Sequence, residues 1–174
     1  VAPGAGTGLS GGALPLGDGV LLSLARFTSI LEVDNRARTA RVQPGVRNLA
    51  ISEAAAPYGL YYAPDPSSQI ACTIGGNVAE NSGGVHCLKY GLTVHNVLAV
   101  RAFTMDGELV TFGAAIGSAG CALDSPGLDL LAVMIGSEGM LAVVTQVVVK
   151  LVPRPQLAQV VMASFDGLGK VGVA

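Results

Sequence analysis

An α+β domain is the architecture to expect of this chain, on three features of its residues. Segments of strand composition outnumber those with a helical stripe. Asp106-Gly107 lies between two apolar runs, so strands are joined by a tight hairpin and not only through helical crossovers. Long glycine-rich stretches break up the rest, and the regular strand–helix alternation of a parallel array does not emerge.

The chain opens on Gly4-Ala5-Gly6-Thr7-Gly8-Leu9-Ser10-Gly11-Gly12, too dense in glycine for regular structure. Val20 to Leu24, Ile30 to Val33 and Thr39 to Gln43 have the composition of short strands. Pro44-Gly45 turns the chain into a helix over Val46 to Tyr58, with Leu49, Ile51, Ala54 and Ala55 on its apolar face. Gly59 stops that helix, and Ala56-Pro57 limits its last turn. From Leu60 to Tyr90 periodicity fades among Gly, Ser, Asn and Pro, and an irregular stretch of that length is usually functional. Val97 to Thr104 and Glu108 to Phe112 form the hairpin strands, Leu128 to Ile135 a short helix, and Leu141 to Val152 a long valine-rich strand. Pro153-Arg154-Pro155 reads as a linker to something new beginning at Gln156.

Composition narrows the function. Ten Lys+Arg against twelve Asp+Glu leave a formal charge of -2, with no basic face for nucleic acid and no polybasic cluster for anionic lipid. Charged residues make up 13%, about half the usual share, which suggests surfaces covered by other segments or partners. A membrane span is not indicated, because the uncharged runs Val1 to Gly17 and Leu109 to Leu123 are broken by glycines. The chain starts at Val1 directly before the glycine loop, so we expect a fragment trimmed at the N-terminus. Cys72, Cys87 and Cys121 contain no C-x-x-C and suggest neither a disulfide framework nor zinc; a reducing, cytoplasmic setting is the default.

Gly6-Thr7-Gly8-Leu9-Ser10-Gly11 satisfies G-x-G-x-x-G, the dinucleotide fingerprint of a Rossmann fold. That reading requires a helix to start inside the glycines. Pro15, Gly17 and Gly19 argue against one, and no Gly-Lys-Ser/Thr follows to make a Walker loop. What remains is a bare loop whose free N–H groups can nest an anion, with the Thr7 and Ser10 hydroxyls as further donors. A second constellation runs from Pro64 to Gly84: paired glycines, Asn77, Asn81, and apolar Ile74 and Val78. Two separated glycine loops suit a long ligand with both a pyrophosphate and a flat polar ring, and FAD fits that description better than a mononucleotide. The plainer alternative is an interaction domain whose glycines merely serve turns.

"PGAGTGLSGG", "APDPSSQIACTIGGNVAENSGG", "KYGLT" and "IGSEGMLAVVT" occur in the order found in FAD-linked oxidases of the vanillyl-alcohol oxidase superfamily. From Val1 to about Pro155 the chain resembles their PCMH-type FAD-binding domain. Within the superfamily it is similar to the group of glycolate oxidase FAD subunits, D-lactate dehydrogenases and D-2-hydroxyglutarate dehydrogenases. The resemblance implies an α+β flavin domain over residues 1–155, with mixed sheets flanked by helices and its first small subdomain absent. Residues 156–174 would be the start of a substrate-binding cap, the rest of which is missing. Pro3, Gly4, Ala5, Gly6, Thr7, Gly8, Leu9 and Ser10 would wrap the FAD pyrophosphate. Pro64, Asp65, Ser67 and Ser68, then Thr73, Gly75, Gly76 and Asn77, then Glu80, Asn81, Gly83 and Gly84 would line the flavin and ribityl side. Tyr90-Gly91 would continue that wall, and Glu138, Gly139, Ala142, Val143 and Val144 would add contacts along the cofactor.

By the same resemblance, a 2-hydroxy acid gives hydride from its carbinol carbon to flavin N5 while a base takes the hydroxyl proton. Other FAD-linked chemistry of the superfamily, ether-lipid synthesis or aldonolactone oxidation, stays open. The family's base lies mostly in the cap, so no catalytic residue is assigned here. His86 and His95 are expected to be structural, and attachment of flavin through His86, Cys87 or Cys72 is not expected in a group that holds FAD non-covalently. No metal site is expected in this chain, since clustered His and carboxylates are lacking. A sister flavin subunit and an iron–sulfur subunit are the implied partners, with at most peripheral attachment to the inner membrane. The chain departs from the family at Pro3, where an Arg is usual, and at Met140, where a threonine is usual.

Overall fold

The computed structural model describes residues 2–113, 127–157, 159–160, 162–167 and 169. Its centre is an antiparallel five-stranded sheet in the order β1-β2-β6-β4-β5. These strands are β1 (Ile30–Asp34), β2 (Thr39–Val42), β4 (Val97–Phe103), β5 (Leu109–Gly113) and β6 (Val143–Lys150). A separate pair joins β3 (Leu60–Tyr61) to β7 (Val152–Pro153), also antiparallel. The helices are α1 (Asn48–Ala55), α2 (Ile74–Glu80), α3 (Cys87–Tyr90) and α4 (Leu130–Met134).

Valine at alternate positions explains why β6 is central. Val147 and Val149 are fully buried, and β6 bonds β2 on one side and β4 on the other. Their buried neighbours Ala40, Val42, Val100 and Ala102 meet Ile51 and Ala55 of α1 and Ile74 and Val78 of α2 in one cluster. The period of two in the strands and of about four in the helices thus point at a shared core. The β1–β2 turn is held by Asp34, whose Oδ1 accepts from the N–H groups of Arg36 at 2.8 Å and Ala37 at 2.9 Å. In the β4–β5 hairpin, Gly107 (φ 80°) donates to Thr104 O at 3.0 Å, as the Asp-Gly signal implies.

Several expectations need correction. Val20 to Leu24 is not a strand: it is a loop with Val20, Leu21 and Leu22 exposed. Apolar composition alone does not make a strand where no neighbouring strand offers a ladder. The stretch from Leu60 to Tyr90 is more regular than its composition suggests, since it contains β3, α2 and α3. Pro153-Arg154 is not a free linker, because Val152 pairs with Tyr61 and the Arg154 N–H donates to Gly59 O at 2.8 Å. The helix expected over Val46 to Tyr58 is α-helical only from Asn48 to Ala55. Pro57 tightens its end to a 3₁₀ turn closed by left-handed Gly59 (φ 67°). The short helix before β6 covers Leu130–Met134, and Cys121 lies outside the described residues.

α2 forms against its own propensity, because Gly75 and Gly76 each cost close to 1 kcal/mol in a helix. The Thr73 side chain caps it, accepting from the Gly76 N–H at 3.4 Å, and Ile74 and Val78 are completely buried. Gly75 is required by contact: a Cβ there would lie 2.7 Å from Pro44 Cβ and 3.0 Å from Pro44 O. A Cβ on Gly76 would meet only Thr73 Oγ1, at 3.5 Å. We therefore expect Gly75→Ala to destabilise the fold by about 1–3 kcal/mol through overpacking. Gly76→Ala should be neutral or stabilising by up to about 1 kcal/mol. Urea unfolding of both variants beside the parent checks the ordering.

Candidate functional site

The site is assembled where backbone approaches backbone. Gly45 packs against residues 24–27, so that an added Cβ would fall 2.8 Å from both Leu24 O and Phe27 O. The Gly45 N–H donates to Phe27 O at 2.8 Å, and the Gly75 N–H donates to Pro44 O at 2.8 Å. The segment 24–27, the Pro44-Gly45 turn and the start of α2 are therefore stacked closely, with glycine on one side of each contact. Against this stack lies the N-terminal loop, where a Cβ on Gly4 would sit 3.0 Å from Thr73 Oγ1 and 3.5 Å from Gly76 Cα.

The far end of α2 is fixed by the turn before β6. The N–H groups of Gly136 and Glu138 donate to Val78 O and Ala79 O, each at 2.8 Å. Gly136 (φ 88°), Glu138 (φ 53°) and Gly139 (φ 73°) all have left-handed backbone, which bends the chain around the helix end before β6 begins. Between the glycine loop, α2 and this turn lies a cavity of about 410 Å³. That size is usual for a small-molecule site.

The donors on the cavity wall belong to the loop and not to the helix. At the start of α2, the N–H groups of Ile74, Gly75 and Asn77 are bonded to Val46 O, Pro44 O and Thr73 O, while Gly76 is bonded to Thr73 Oγ1. Among the described residues, no N–H from Gly4 to Gly12 meets a protein acceptor. Ser137 Oγ, buried on the wall, also has no partner. The charged residues on the wall are Glu80 and Glu138, and among the described residues no Lys, Arg or His lines it.

Of the residues expected at the site, Pro3 to Gly8 and Ser10 are on the wall. So are Ser68, Thr73, Gly75, Gly76, Asn77 and Glu80, with Glu138, Gly139 and Ala142 to Val144 facing them. The other expected residues are off this wall, most of them in structural contacts. Leu9 points fully into solvent. Pro64 O accepts from Asn48 Nδ2 at 3.1 Å. Asn81 ends α2 with left-handed backbone (φ 49°) and accepts from the Val94 N–H at 3.0 Å. Gly83 and Gly84 leave room for Leu92 and for the Asp65 backbone, and Gly91 (φ 78°) for His95. Ser67 is also off the wall. Leu24, Ala25, Pro44, Gly45, Cys72 and Ser137 are on the wall without having been expected there. The turn residues among them show no local chemical signal, since they take part through main-chain contact.

Asn77 reaches the wall, but its side chain already has partners. Asn48 Nδ2 donates to Asn77 Oδ1 at 2.9 Å, and Asn77 Nδ2 lies 3.4 Å from Cys72 Sγ, all three residues being buried. His86 is oriented by Asp65, with Nδ1 2.6 Å from Oδ2, on the surface and off the cavity wall. His95 Nδ1 accepts from the Leu92 N–H at 3.1 Å, a structural role. Tyr61 and Tyr90 meet edge to face at 6.2 Å between ring centres. Burial, and then Tyr90, push the Tyr61 phenol up, whereas the bond from Tyr61 and the neighbouring Lys89 pull the Tyr90 phenol down. Both tyrosines are away from the cavity wall. Among the described residues no group of His, Cys, Asp and Glu could hold a metal ion, and no helix is long and apolar enough to cross a membrane.

An antiparallel α+β scaffold that presents a glycine-rich loop of unpaired N–H groups to an open cavity is the arrangement of a dinucleotide-binding domain of non-Rossmann type. The chain belongs to the FAD binding domain family, whose model matches residues 1–113. It is 66% identical over 174 residues to the glycolate oxidase subunit GlcD of Escherichia coli (strain K12), covering 100% of this chain and 34% of that protein. It is 38% identical over 165 residues to a D-lactate dehydrogenase of Anaerostipes hadrus, covering 95% of this chain and 34% of the relative. It is 36% identical over 177 residues to a D-2-hydroxyglutarate dehydrogenase of Xanthomonas citri pv. viticola, covering 100% of this chain and 36% of the relative. Among solved structures, alkyldihydroxyacetonephosphate synthase superposes with a TM-score of 0.75 at 27% identity, over 90% of this chain and 28% of that one. The chain thus spans about a third of the length of these curated relatives.

The cofactor is FAD. The residues present fit it: unpaired loop N–H groups suit a pyrophosphate, and the orphaned Ser137 hydroxyl offers a further bond inside the cavity. The wall itself depends on the buried amide pair beneath it. Asn48→Ala would leave Asn77 Oδ1 and Pro64 O without the donor they now share, so we expect a loss of about 2–3 kcal/mol in urea unfolding.

Proposed function

We propose that this chain is the FAD-holding part of a flavin-dependent 2-hydroxy-acid oxidoreductase of the glycolate oxidase kind. The observation that carries the proposal is 66% identity, along the whole chain, to a protein named as a glycolate oxidase subunit. Bound flavin supplies a hydride acceptor for the carbon that carries the substrate hydroxyl. The protein's part is to hold and orient the cofactor. Loop N–H groups from Gly4 to Gly12 take the pyrophosphate, while Thr73, Gly76, Ser137 and the 142–144 strand bound the rest of its path. No proton acceptor is assigned among the wall residues, and the base is sought outside this chain. Non-covalent binding accords with the positions of the candidate attachment residues. Cys72 is buried beside Asn77, whereas His86 and Cys87 are off the cavity wall.

D-lactate or D-2-hydroxyglutarate is the second choice of substrate, supported by the lower identities to dehydrogenases of those names. The word "subunit" in the name of the 66% relative supports a multi-subunit enzyme. A sister flavin subunit and an iron–sulfur subunit are the partners we propose, in the cytoplasm and reaching the inner membrane only through such partners. The flavin domain is proposed to end near Pro155, after β7.

FAD titrated into the purified chain should bind saturably, read as quenched flavin fluorescence and a yellow protein after desalting; failure to bind would overturn the cofactor assignment for this chain. With a dye as electron acceptor, a polypeptide of the relatives' length that contains this chain should turn over glycolate faster than D-lactate or D-2-hydroxyglutarate. No turnover of any of the three would overturn the substrate class.

A further inference from the structure

We infer that the cofactor cavity is electrostatically inverted, with Glu80 opposing the FAD pyrophosphate, so that salt tightens cofactor binding where phosphate sites ordinarily lose affinity. This rests on the FAD reading above. Sites for phosphate commonly combine N–H donors with a guanidinium or an ammonium, and salt then weakens the attraction. Here the wall carries the loop's N–H groups together with Glu80 and Glu138, and no Lys, Arg or His among the described residues.

Glu80 is the nearer concern, because it faces the phosphate loop itself. A Cβ built on Gly12 would lie 4.0 Å from Glu80 Oε1. Two bases come close along the chain, and neither is a wall residue. Arg26 follows the wall residues Leu24 and Ala25 but is not itself on the wall. Arg47 bridges to Thr73 through its backbone, while its guanidinium turns to Ile70 O at 3.4 Å. Pro3, at the entrance to the loop, adds no charge.

The two contributions answer salt differently. Hydrogen bonds from neutral N–H groups change little, whereas repulsion between carboxylate and phosphate is screened over about 10 Å at 0.1 M salt and about 3 Å at 1 M. Raising salt therefore removes the unfavourable part first. Glu80 is exposed, so the effect is a modest change in Kd, about two- to fivefold, in keeping with the strength of exposed charge pairs.

The experiment titrates FAD and, separately, riboflavin into the full chain by flavin fluorescence, at low salt and at about 0.5 M sodium chloride. The parent should bind FAD more tightly at high salt. Glu80→Gln should bind FAD about two- to fivefold more tightly than the parent at low salt and lose most of the salt gain. Riboflavin, which lacks the pyrophosphate, should respond neither to salt nor to the substitution. Glu138→Gln should shift FAD binding in the same direction, so the inference does not hang on one variant. FAD binding that weakens with salt, an unchanged Kd in a folded Glu80→Gln, or an equal response from riboflavin would each overturn the inference and leave the cofactor reading standing. A parent chain that binds no FAD at either salt would overturn both.

Discussion

The fold around the site depends on places where glycine lets one segment of main chain approach another closely. Pro44 O accepts from Gly75, Gly45 donates to Phe27 O, and Gly4 lies against Thr73 and Gly76. A methyl group on Gly45 would overlap the backbone of Leu24 and Phe27, and one on Gly75 would overlap the Pro44 ring, so these residues set the distance between the segment before β1, the β2–α1 turn and α2. The sheet supplies the rigid base for that stack through Val147 and Val149 of β6 and the buried faces of β2 and β4. Burial of Ile74 and Val78 offsets the poor helix propensity of the two glycines in α2.

This construction explains how a dinucleotide is accommodated without the Rossmann arrangement. In that arrangement a helix N-terminus meets the pyrophosphate. Here the opening N–H groups of α2 are bonded to Pro44, Val46 and Thr73, so the helix has no free donors in its first turn to offer. Its task is mechanical: it gives the loop a flat surface to lie on. Among the described residues, the loop's own N–H groups from Gly4 to Gly12 meet no protein acceptor, and Gly11 takes part in a turn only as the acceptor of the Leu14 N–H. Among the described residues the wall has no Lys, Arg or His, the groups that phosphate sites usually contain.

Much of this could be read from the residues. The order of the glycine loop, the Pro64–Gly84 stretch and the Gly136–Val144 segment carried the family, and the hairpin at Asp106-Gly107 was a local signal that held. Pro15, Gly17 and Gly19 were enough to exclude a helix after the loop. The illegible parts share a physical cause. Helix α2 is specified by its cap and its buried face more than by propensity, so Ile74-Gly75-Gly76 looked irregular. Pro44 and Gly45 join the wall through main-chain contacts made long after they are passed in sequence. Asn77 and Asn81 read as ligand-binding amides, and in the structure their Oδ1 atoms accept from Asn48 Nδ2 and the Val94 N–H. Asp65 likewise serves His86 and lies off the wall. A polar side chain in a glycine-rich segment does not reveal from sequence whether its partner is a ligand or the protein itself.

Amide hydrogen exchange, read residue by residue with and without FAD, tests most directly the view that the loop, and not the helix, binds the pyrophosphate. In the free chain the N–H groups of Gly4 to Gly12 should exchange quickly, while that of Gly75, bonded to Pro44 O, should be slow. Adding FAD should slow the loop amides strongly and change Gly75 and Gly76 little. Protection that appears in the first turn of α2, with the loop still exchanging freely, would contradict the account.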